Sequence, residues 1–136
     1  MNYDVIVVGS GAAALTAAVT AADSGNKVLV IESTDQFGGS TAMSGGGAWI
    51  PNNHLMLAAG VHDTPELART YMDQVIADVG PASSSQRRDA FVENAPKMAR
   101  YLEALGFEWS YQTGYSDYHP EEPGGNAIGR SIEGKM

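Results

Sequence analysis

Two glycines near the N-terminus have the spacing that a bound dinucleotide requires. Gly9 and Gly11 follow the apolar run Val5–Val8, and Ala14 stands three residues later in a Gly-x-Gly-x-x-Ala pattern. Gly9 permits a sharp turn out of a strand, Gly11 keeps a side chain away from an approaching pyrophosphate, and the small Ala14 lets a helix pack against the strand. A helix that begins near Ala12 directs its amide groups and the positive end of its dipole toward the phosphates.

An acidic residue completes this pattern. Glu32 follows a second apolar run, Val28–Ile31, and lies 21 residues after Gly11. A carboxylate at that distance accepts hydrogen bonds from the ribose hydroxyls of an adenosine and disfavours a 2′-phosphate. A plain turn between two strands would explain the glycines but not the acid. The pattern therefore predicts FAD or NAD as the cofactor and argues against NADP.

A second glycine-rich stretch begins at Phe37 and ends at Ala48. A flexible linker could share its glycine content, but linkers rarely carry aromatic and methionine side chains as well. We expect its backbone to wrap closely around the ligand, with hydroxyl groups from Ser40, Thr41 and Ser44. A second contact so soon after the ribose acid favours the longer cofactor, FAD. The predicted cofactor contacts are Gly9, Ser10, Gly11, Ala12, Ala13, Ala14, Glu32, Ser33, Gly38, Gly39, Ser40, Thr41, Ser44, Gly45, Gly46 and Gly47.

Composition narrows the classes of partner. The 136 residues carry a formal net charge of −8, which leaves no electrostatic footprint for nucleic acid or an anionic membrane surface. There is no cysteine, which excludes disulfides and thiolate ligands, and the three histidines lack metal-ligand spacing, so we expect no metal site. No apolar run is long enough for a transmembrane segment. We expect a cytoplasmic protein, with peripheral membrane contact left open.

The expected fold class is α/β. Residues 4–32 predict a Rossmann-like βαβ unit of a parallel sheet, whose near-continuous Val, Ile and Leu runs are typical of strands covered on both faces. A mainly helical segment follows. We expect residues 1–136 to be the N-terminal portion of an FAD-binding domain, incomplete by itself, in which 1–50 hold the cofactor, 51–106 are helical and 107–136 face the substrate.

Three helices are expected in the middle of the chain. Thr64 is a good N-cap for a helix whose apolar stripe runs to Val79. Ser85 can cap a second helix through about Glu93, and Asn94-Ala95-Pro96 predicts that a third helix begins there and ends at Gly106.

The last thirty residues differ in kind. Phe107–Tyr111 predicts a short strand, and residues 114–125 combine aromatic, acidic and turn residues in an irregular segment. Loops of this type often carry functional sites, although an aromatic-anchored surface loop explains the same composition equally well. We interpret residues 129–133 as the start of a connection to a further element.

Several of these stretches together resemble a known family. The motifs are Val-Gly-Ser-Gly-Ala-Ala at 8–13, Phe-Gly-Gly-Ser-Thr-Ala at 37–42, Ser-Gly-Gly-Gly at 44–47, Trp-Ile-Pro-Asn-Asn at 49–53 and Tyr-Ser-Asp-Tyr-His-Pro-Glu at 115–121. They are similar to the N-terminal part of the 3-ketosteroid 1-dehydrogenases, which share an FAD superfamily with the flavoprotein subunits of fumarate reductases. The resemblance covers essentially the whole chain.

The resemblance implies a chemistry and two site residues. Non-covalently bound FAD takes a hydride from carbon 1 of a 3-ketosteroid or similar cyclic ketone, while a tyrosine removes a proton from carbon 2 and an external acceptor reoxidises the flavin. Tyr118 corresponds to a tyrosine that supports the proton-abstracting one, and Tyr115 to an aromatic residue of the substrate pocket. A phenol titrates near ~10, so such a base needs a hydrogen-bonding neighbour or a positive field.

The resemblance also implies that this chain is one piece of a larger flavoenzyme. Members of the family are several times longer, and their proton-abstracting tyrosine lies beyond the region matched by these motifs. We therefore expect a fragment or a subunit completed by a second polypeptide, inactive by itself. Two alternatives stay open: a fumarate reductase-like enzyme that reduces an activated alkene, and a non-catalytic nucleotide-binding or assembly module.

Overall fold

A computed structural model of the chain describes residues 1–135. They form two compact units, the first ending at Gly46 and the second beginning at Gly47. Met136, the last residue of the predicted substrate-facing segment, lies outside the described residues. The functional division expected at residues 50 and 106 stays a prediction.

The first unit is a βαβ arrangement followed by a short helix. It contains β1 (Val5–Val8), α1 (Ala12–Asp23), β2 (Val28–Ile31) and α2 (Gly39–Met43). The two strands are parallel, with Val5 opposite Val28 and Val8 opposite Ile31. This confirms the predicted α/β class. The short helix α2 lies within the second glycine-rich stretch and follows Gly38, which has a left-handed φ of 107°.

Alternate residues of β1 differ in exposure. Val5 and Val7 are half-buried, whereas Ile6 and Val8 are 59% and 78% exposed. Within this unit α1 packs against both strands. The prediction that both faces of the strands are covered is therefore not met by residues of this unit alone, because one helix can cover only one face of a sheet.

The second unit contains a three-stranded antiparallel sheet, of which the sequence predicted only the strand at Phe107–Tyr111. Its strands are β3 (Gly47–Trp49), β4 (Trp109–Tyr111) and β5 (Ser131–Gly134), in the order β3-β5-β4. The central β5 occupies the stretch that we interpreted as the start of a connection. Its Ile132 pairs with Ala48 on one side and with Tyr111 on the other. Both partner strands lie far away in sequence, so no local pattern marks β5.

Three α-helices lie between β3 and β4. They are α3 (His54–Ala58), α4 (Pro65–Val75) and α5 (Ser85–Ala104), and a short 3₁₀ turn at Pro81–Ser83 precedes α5. The hydroxyl of Thr64 accepts from the Leu67 amide at 3.2 Å, which confirms the predicted cap of α4. This helix ends at Val75, four residues earlier than expected. Within residues 1–135, none of the helices combines the length and the apolar character needed to cross a membrane.

Helix α5 corrects the expectation of two separate helices. It runs without a break through Pro96, and its N-cap is Ser84 instead of Ser85. Asn94 does not cap a new helix, because its amide group donates to the Ala90 carbonyl at 2.8 Å within the same helix. Proline removes one backbone hydrogen bond but does not force a helix to end when tertiary packing holds both halves.

Helix α5 contributes to both hydrophobic clusters of the second unit. One cluster joins Ala95 and Ala99 to Ile50 and Ile132 of the sheet region. The other joins Val92 to Ala68 and Met72 of α4. Because both clusters depend on α5, this packing explains why the helix continues past its proline. Val92, Ala95 and Ala99 are spaced to lie on one face of α5, so α4 and the sheet region pack at successive positions along that face.

Candidate functional site

The glycine turn after β1 has the conformation that its sequence predicts. Gly9 has φ 96°, and a Cβ added there would meet no atom within 4 Å. The requirement for glycine is therefore conformational, since residues with a side chain rarely adopt a positive φ. The Gly9 amide donates to the Ile31 carbonyl at 2.7 Å, which joins the turn to the end of β2.

Gly11 meets a different requirement. It precedes α1 with φ −71° and ψ 176°, angles open to any residue. A Cβ added there would lie 3.7 Å from the Thr41 hydroxyl and 3.9 Å from the Gly38 carbonyl oxygen, both ordinary contacts. Neither conformation nor packing within the chain demands glycine at this position. The absent side chain instead leaves room in front of the first turn of α1.

The carboxylate of Glu32 is held by a ring of hydrogen bonds at the end of β2. One oxygen, Oε2, accepts from the Ser10 hydroxyl at 2.5 Å. The other, Oε1, accepts from the Ser33 amide at 2.7 Å, the Ser33 hydroxyl at 3.0 Å and the Thr34 amide at 3.2 Å. The hydrogen bond from Ser10, followed by those from Ser33 and Thr34, lowers the pKa of Glu32 to about 2. The side chain is therefore an anion near neutral pH.

Helix α2 lies against the glycine turn. The Gly38 amide donates to Ser10 Oγ at 2.8 Å, and the Ala12 amide donates to Thr41 Oγ1 at 3.1 Å. Gly38 must be glycine, because its φ is 107° and an added Cβ would lie 2.6 Å from the Ala42 Cβ. The turn, the acid and α2 thus form one hydrogen-bonded group, which we name the cradle (Gly9–Ala12, Glu32 and Gly38–Thr41).

The other predicted cofactor contacts have varied surroundings. The Ser44 hydroxyl donates to the Thr41 carbonyl at 2.8 Å and accepts from the Gly46 amide at 3.1 Å, so it stabilises its own loop. Exposed positions are Ala12, Ala13, Ser33, Gly39, Ser40, Gly45, Gly46 and Gly47, and Ala14 is half-buried. Gly47 belongs to the second compact unit, whereas the other predicted contacts belong to the first. Their roles as cofactor contacts stay predictions.

A buried ionic cluster supports the loop that carries the two predicted tyrosines. Arg130 binds Asp63 with two parallel bonds, Nε to Oδ2 at 2.9 Å and Nη2 to Oδ1 at 2.8 Å. Its Nη1 donates to Asp117 Oδ2. The arginine side chain is 1% exposed and both carboxylates are 0% exposed. We name these three residues the ionic cluster.

Aromatic and backbone groups enclose the ionic cluster. The indole nitrogen of Trp49 donates to Asp117 Oδ1 at 2.7 Å. The guanidinium carbon of Arg130 lies 5.6 Å from the ring centroids of both Trp49 and Tyr71. Burial disfavours the charged arginine, but Asp63 and Asp117 outweigh this effect and raise the pKa of Arg130 above its ordinary value. Arg130 therefore stays charged.

Tyr118 and Tyr115 project from this support. Tyr118, the chain neighbour of the buried Asp117, is 97% exposed, and Tyr115 is 60% exposed. Tyr118 also borders an apolar hollow of about 200 Å³, whose other lining residues are Trp49, Tyr71, Met72, Val75 and Ile76. In the part of the chain that the structure describes, histidine, aspartate and glutamate side chains form no group that could hold a metal ion.

Comparison with known proteins decides the family. Residues 4–132 match the family model described as the FAD binding domain. This chain belongs to that FAD-binding domain family. The predicted cofactor, FAD, and the resemblance to the 3-ketosteroid 1-dehydrogenases are both confirmed.

Two named relatives of the FAD-binding domain are dehydrogenases. The chain is 48% identical over 135 residues to the 3-oxosteroid 1-dehydrogenase of Mycolicibacterium smegmatis, covering 98% of this chain and 23% of the relative. It is 40% identical to the 4-oxocyclohexanecarboxylate 2-dehydrogenase of Sinomonas cyclohexanicum, covering 99% of this chain and 23% of that protein. The FAD-binding domain thus spans about a quarter of the length of these relatives.

A solved structure matches the chain over nearly its whole length. The 3-ketosteroid Δ1-dehydrogenase of Sterolibacterium denitrificans, in complex with 1,4-androstadiene-3,17-dione, superposes with a TM-score of 0.84. It is 40% identical, and the match covers 98% of this chain and 23% of that one. The fold of the FAD-binding domain is therefore that of the corresponding part of a flavoprotein dehydrogenase.

The cradle fits the adenosine diphosphate part of FAD. The space in front of Gly11 would be narrowed by any side chain, which suits a pyrophosphate against the first turn of α1. The Ala12 amide already donates to Thr41, so the amides that follow it in this turn are the ones that remain for phosphate oxygens. Glu32 offers an anionic acceptor for the ribose hydroxyls.

Sequence reasoning missed the ionic cluster. Asp63 and Arg130 lie 67 residues apart, and Asp117 and Arg130 lie 13 residues apart. Neither spacing corresponds to neighbours on a helix or a strand. The available signal was the Asp117-Tyr118 pair, which marked the loop but not the arginine that holds it.

Proposed function

We propose that this FAD-binding domain is part of an FAD-dependent dehydrogenase that introduces a double bond beside the ketone of a ring substrate. The observation that carries the proposal is the 48% identity to a 3-oxosteroid 1-dehydrogenase over 98% of this chain. That span includes both the cradle and the irregular segment 114–125, which carries Tyr115 and Tyr118 and which we name the tyrosine loop. A shared cofactor fold alone would not define a reaction, so the loop residues are the ones that make the proposal specific.

The cradle would hold the cofactor during this reaction. Glu32 would accept hydrogen bonds from the ribose, and the space at Gly11 would admit the pyrophosphate. When bound, FAD supplies the hydride acceptor. The predicted hydroxyl contacts Ser40 and Thr41 lie on α2, next to the glycine turn.

Tyr118 would act on the substrate side. Its phenol is exposed, while the adjoining Asp117 is fixed in the ionic cluster by Arg130 and Trp49. A rigid support under an exposed hydroxyl suits a group that must hold a second tyrosine by hydrogen bonding while that tyrosine removes the carbon 2 proton. The proton-abstracting tyrosine would come from the remainder of the enzyme.

The surroundings of Tyr118 favour a neutral, apolar ring over a dicarboxylate. The hollow beside it is lined by aromatic and aliphatic side chains, and Tyr115 adds a further exposed aromatic ring to the same loop. A dicarboxylate would need cationic partners, and the arginine nearest to this loop is already neutralised by two aspartates. We infer a 3-ketosteroid as substrate, with smaller cyclic ketones as the second candidate because of the 4-oxocyclohexanecarboxylate 2-dehydrogenase relative.

The test is anaerobic flavin reduction in the complete FAD-bound protein. We expect a 3-ketosteroid to bleach the oxidised flavin and to yield the 1,2-unsaturated product, and 4-oxocyclohexanecarboxylate to react more slowly. Oxidation of reduced flavin by fumarate, without reduction by either ketone, would instead identify a fumarate reductase-like enzyme. A protein that binds FAD tightly but exchanges no electrons with these compounds would be a non-catalytic nucleotide-binding module.

A further inference from the structure

Ser10 is a buried hydroxyl between two parts of the cradle. It is 3% exposed, donates to Glu32 Oε2 at 2.5 Å and accepts from the Gly38 amide at 2.8 Å. A serine hydroxyl has a single hydrogen, and Glu32 receives it. Ser10 therefore has no proton left to donate to a phosphate or a ribose, although it stands inside the glycine motif.

The two partners of Ser10 belong to different parts of the cradle. Glu32 ends β2 and would meet the ribose, whereas Gly38 is the N-cap of α2, which carries the predicted contacts Ser40 and Thr41. In sequence they are joined by residues 33–37, all of which are exposed. The hydroxyl of Ser10 is thus a short, buried connection between segments whose covalent connection runs along the surface.

We propose that Ser10 is a positioning residue. It couples the binding of a ribose by the Glu32 carboxylate to the position of α2. This inference rests on the cofactor contacts proposed above. A ribose hydroxyl that binds Glu32 holds this carboxylate in place, the carboxylate orients the Ser10 hydroxyl, and the oriented hydroxyl holds the Gly38 amide. Binding of the adenosine end of FAD therefore orders α2 before the flavin end makes its own contacts.

Neighbouring hydroxyls provide matched controls for this connection. Thr34 Oγ1 donates to the Gln36 carbonyl at 2.7 Å within the exposed connection 33–37, and in the described residues its side chain makes no hydrogen bond to Glu32 or to α2. Thr41 Oγ1 accepts from Ala12 at 3.1 Å, which holds α2 to the glycine turn independently of Glu32. Among the described residues, only Ser10 bonds both Glu32 and the N-cap of α2. A general weakening of the cradle can therefore be separated from loss of this connection.

The experiment is hydrogen exchange in the complete flavoprotein stripped of FAD, with ADP as the probe because it carries the ribose and pyrophosphate but no flavin. The ratio of exchange rates without and with saturating ADP is measured for the amides of residues 38–43. We expect ADP to slow exchange there by about tenfold in the wild type, a usual size for coupling between sites. We expect the ratio to stay near the wild-type value in Thr34→Ala and to fall close to one in Ser10→Ala.

A second variant approaches the connection from its other end. Glu32→Ala leaves the Ser10–Gly38 hydrogen bond possible but removes the carboxylate, so saturating ADP should also leave α2 unprotected in that variant. A protection ratio in Ser10→Ala equal to that of the wild type, at saturating ADP, would overturn the coupling while leaving the cofactor site intact. Failure of ADP to bind the wild type would overturn the cofactor site itself, and the coupling with it.

Discussion

Glu32 illustrates how few groups set the electrostatics of the cradle. Four hydrogen bonds from three residues, of which the one from Ser10 has the largest effect, lower its pKa from 4.5 to about 2. A carboxylate whose pKa is lower in the folded than in the unfolded state stabilises the fold fully above the unfolded pKa, and this stabilisation is lost as pH falls toward the folded value.

The consequence is a pH-dependent difference between the wild type and Glu32→Gln. We expect Glu32→Gln to be less stable at pH 7, and the difference to shrink as pH falls from about 4.5 toward 2. Denaturant unfolding over this range measures it. Glu122→Gln, at an exposed position outside the cradle, is the control. A difference that stays constant down to pH 2 would contradict the assigned hydrogen bonds.

Tyr118 tests the proposed reaction at a single hydroxyl group. We expect Tyr118→Phe in the complete enzyme to lower kcat by about 10²- to 10⁴-fold, the usual contribution of a group in acid–base catalysis. The flavin spectrum should stay unchanged, since Tyr118 lies outside the cradle. Tyr115→Phe removes the other exposed hydroxyl of the loop and should mainly change KM. Equal turnover of Tyr118→Phe and the wild type would remove Tyr118 from the mechanism.

At the scale of elements, the ionic cluster joins β5 to the tyrosine loop. Arg130 directly precedes β5, and it holds Asp63 and Asp117 from two separate connections. Removing one partner of a buried ion pair leaves the other charge without compensation. We expect Arg130→Met to lower the free energy of unfolding by about 3–5 kcal/mol, measured by chemical denaturation.

An exposed arginine gives the comparison. Arg69, which pairs with Asp89 at 3.0 Å at the surface, should lose only about 0–1 kcal/mol on substitution by methionine. The loss of unfolding free energy in Arg130→Lys should lie between these two values, because lysine retains the charge but cannot make the two parallel bonds to Asp63. Similar losses for Arg130→Met and Arg69→Met would show that the buried cluster does not support the loop.

Replacing the proline within α5 should stabilise the protein, in contrast to replacing Arg130. Pro96 is half-buried inside the helix and leaves the Val92 carbonyl without its usual donor. We expect Pro96→Ala to raise the free energy of unfolding by about 1–3 kcal/mol, as thermal or denaturant unfolding would measure. Lys97→Ala, one residue later on an exposed position, should change it little. A loss of stability in Pro96→Ala would mean that the ring fills a space that alanine leaves empty.

At the scale of the whole molecule, the FAD-binding domain is the smaller part of its relatives. It spans 23% of the Mycolicibacterium smegmatis protein, and β1 exposes apolar side chains at Ile6 and Val8. Apolar strand faces of this type are usually covered by a packed element. We propose that further polypeptide, on the same chain or on a second one, covers them and supplies the proton-abstracting tyrosine.

Denaturing intact-mass spectrometry of active, FAD-bound material measures this directly. We expect either a single polypeptide several times heavier than 14.3 kDa or a 14.3 kDa chain accompanied by a larger one. Full dehydrogenase activity in a preparation that contains only the 14.3 kDa chain would contradict the proposal. The same preparation also reveals whether an external acceptor is needed, because turnover should stop after one flavin reduction in its absence.

Local sequence determined the βαβ unit and its cofactor class. The positive φ of Gly9, the small residues that follow and the acid at the end of β2 each act over a few covalent bonds or across one strand pair, so their types and spacing contain the information. The same holds for the cap at Thr64. These features depend on backbone sterics and adjacent hydrogen bonds, which a short stretch of residues specifies.

Only the tertiary structure decided the ionic cluster, the central strand β5 and the continuity of α5. Arg130 has partners 13 and 67 residues away, and Ile132 is buried between strands that are distant in sequence. Pro96 stays within a helix because Val92, Ala95 and Ala99 are packed against other elements. Burial between distant segments sets the energy of each feature, and a local pattern of residues carries no record of which segments meet.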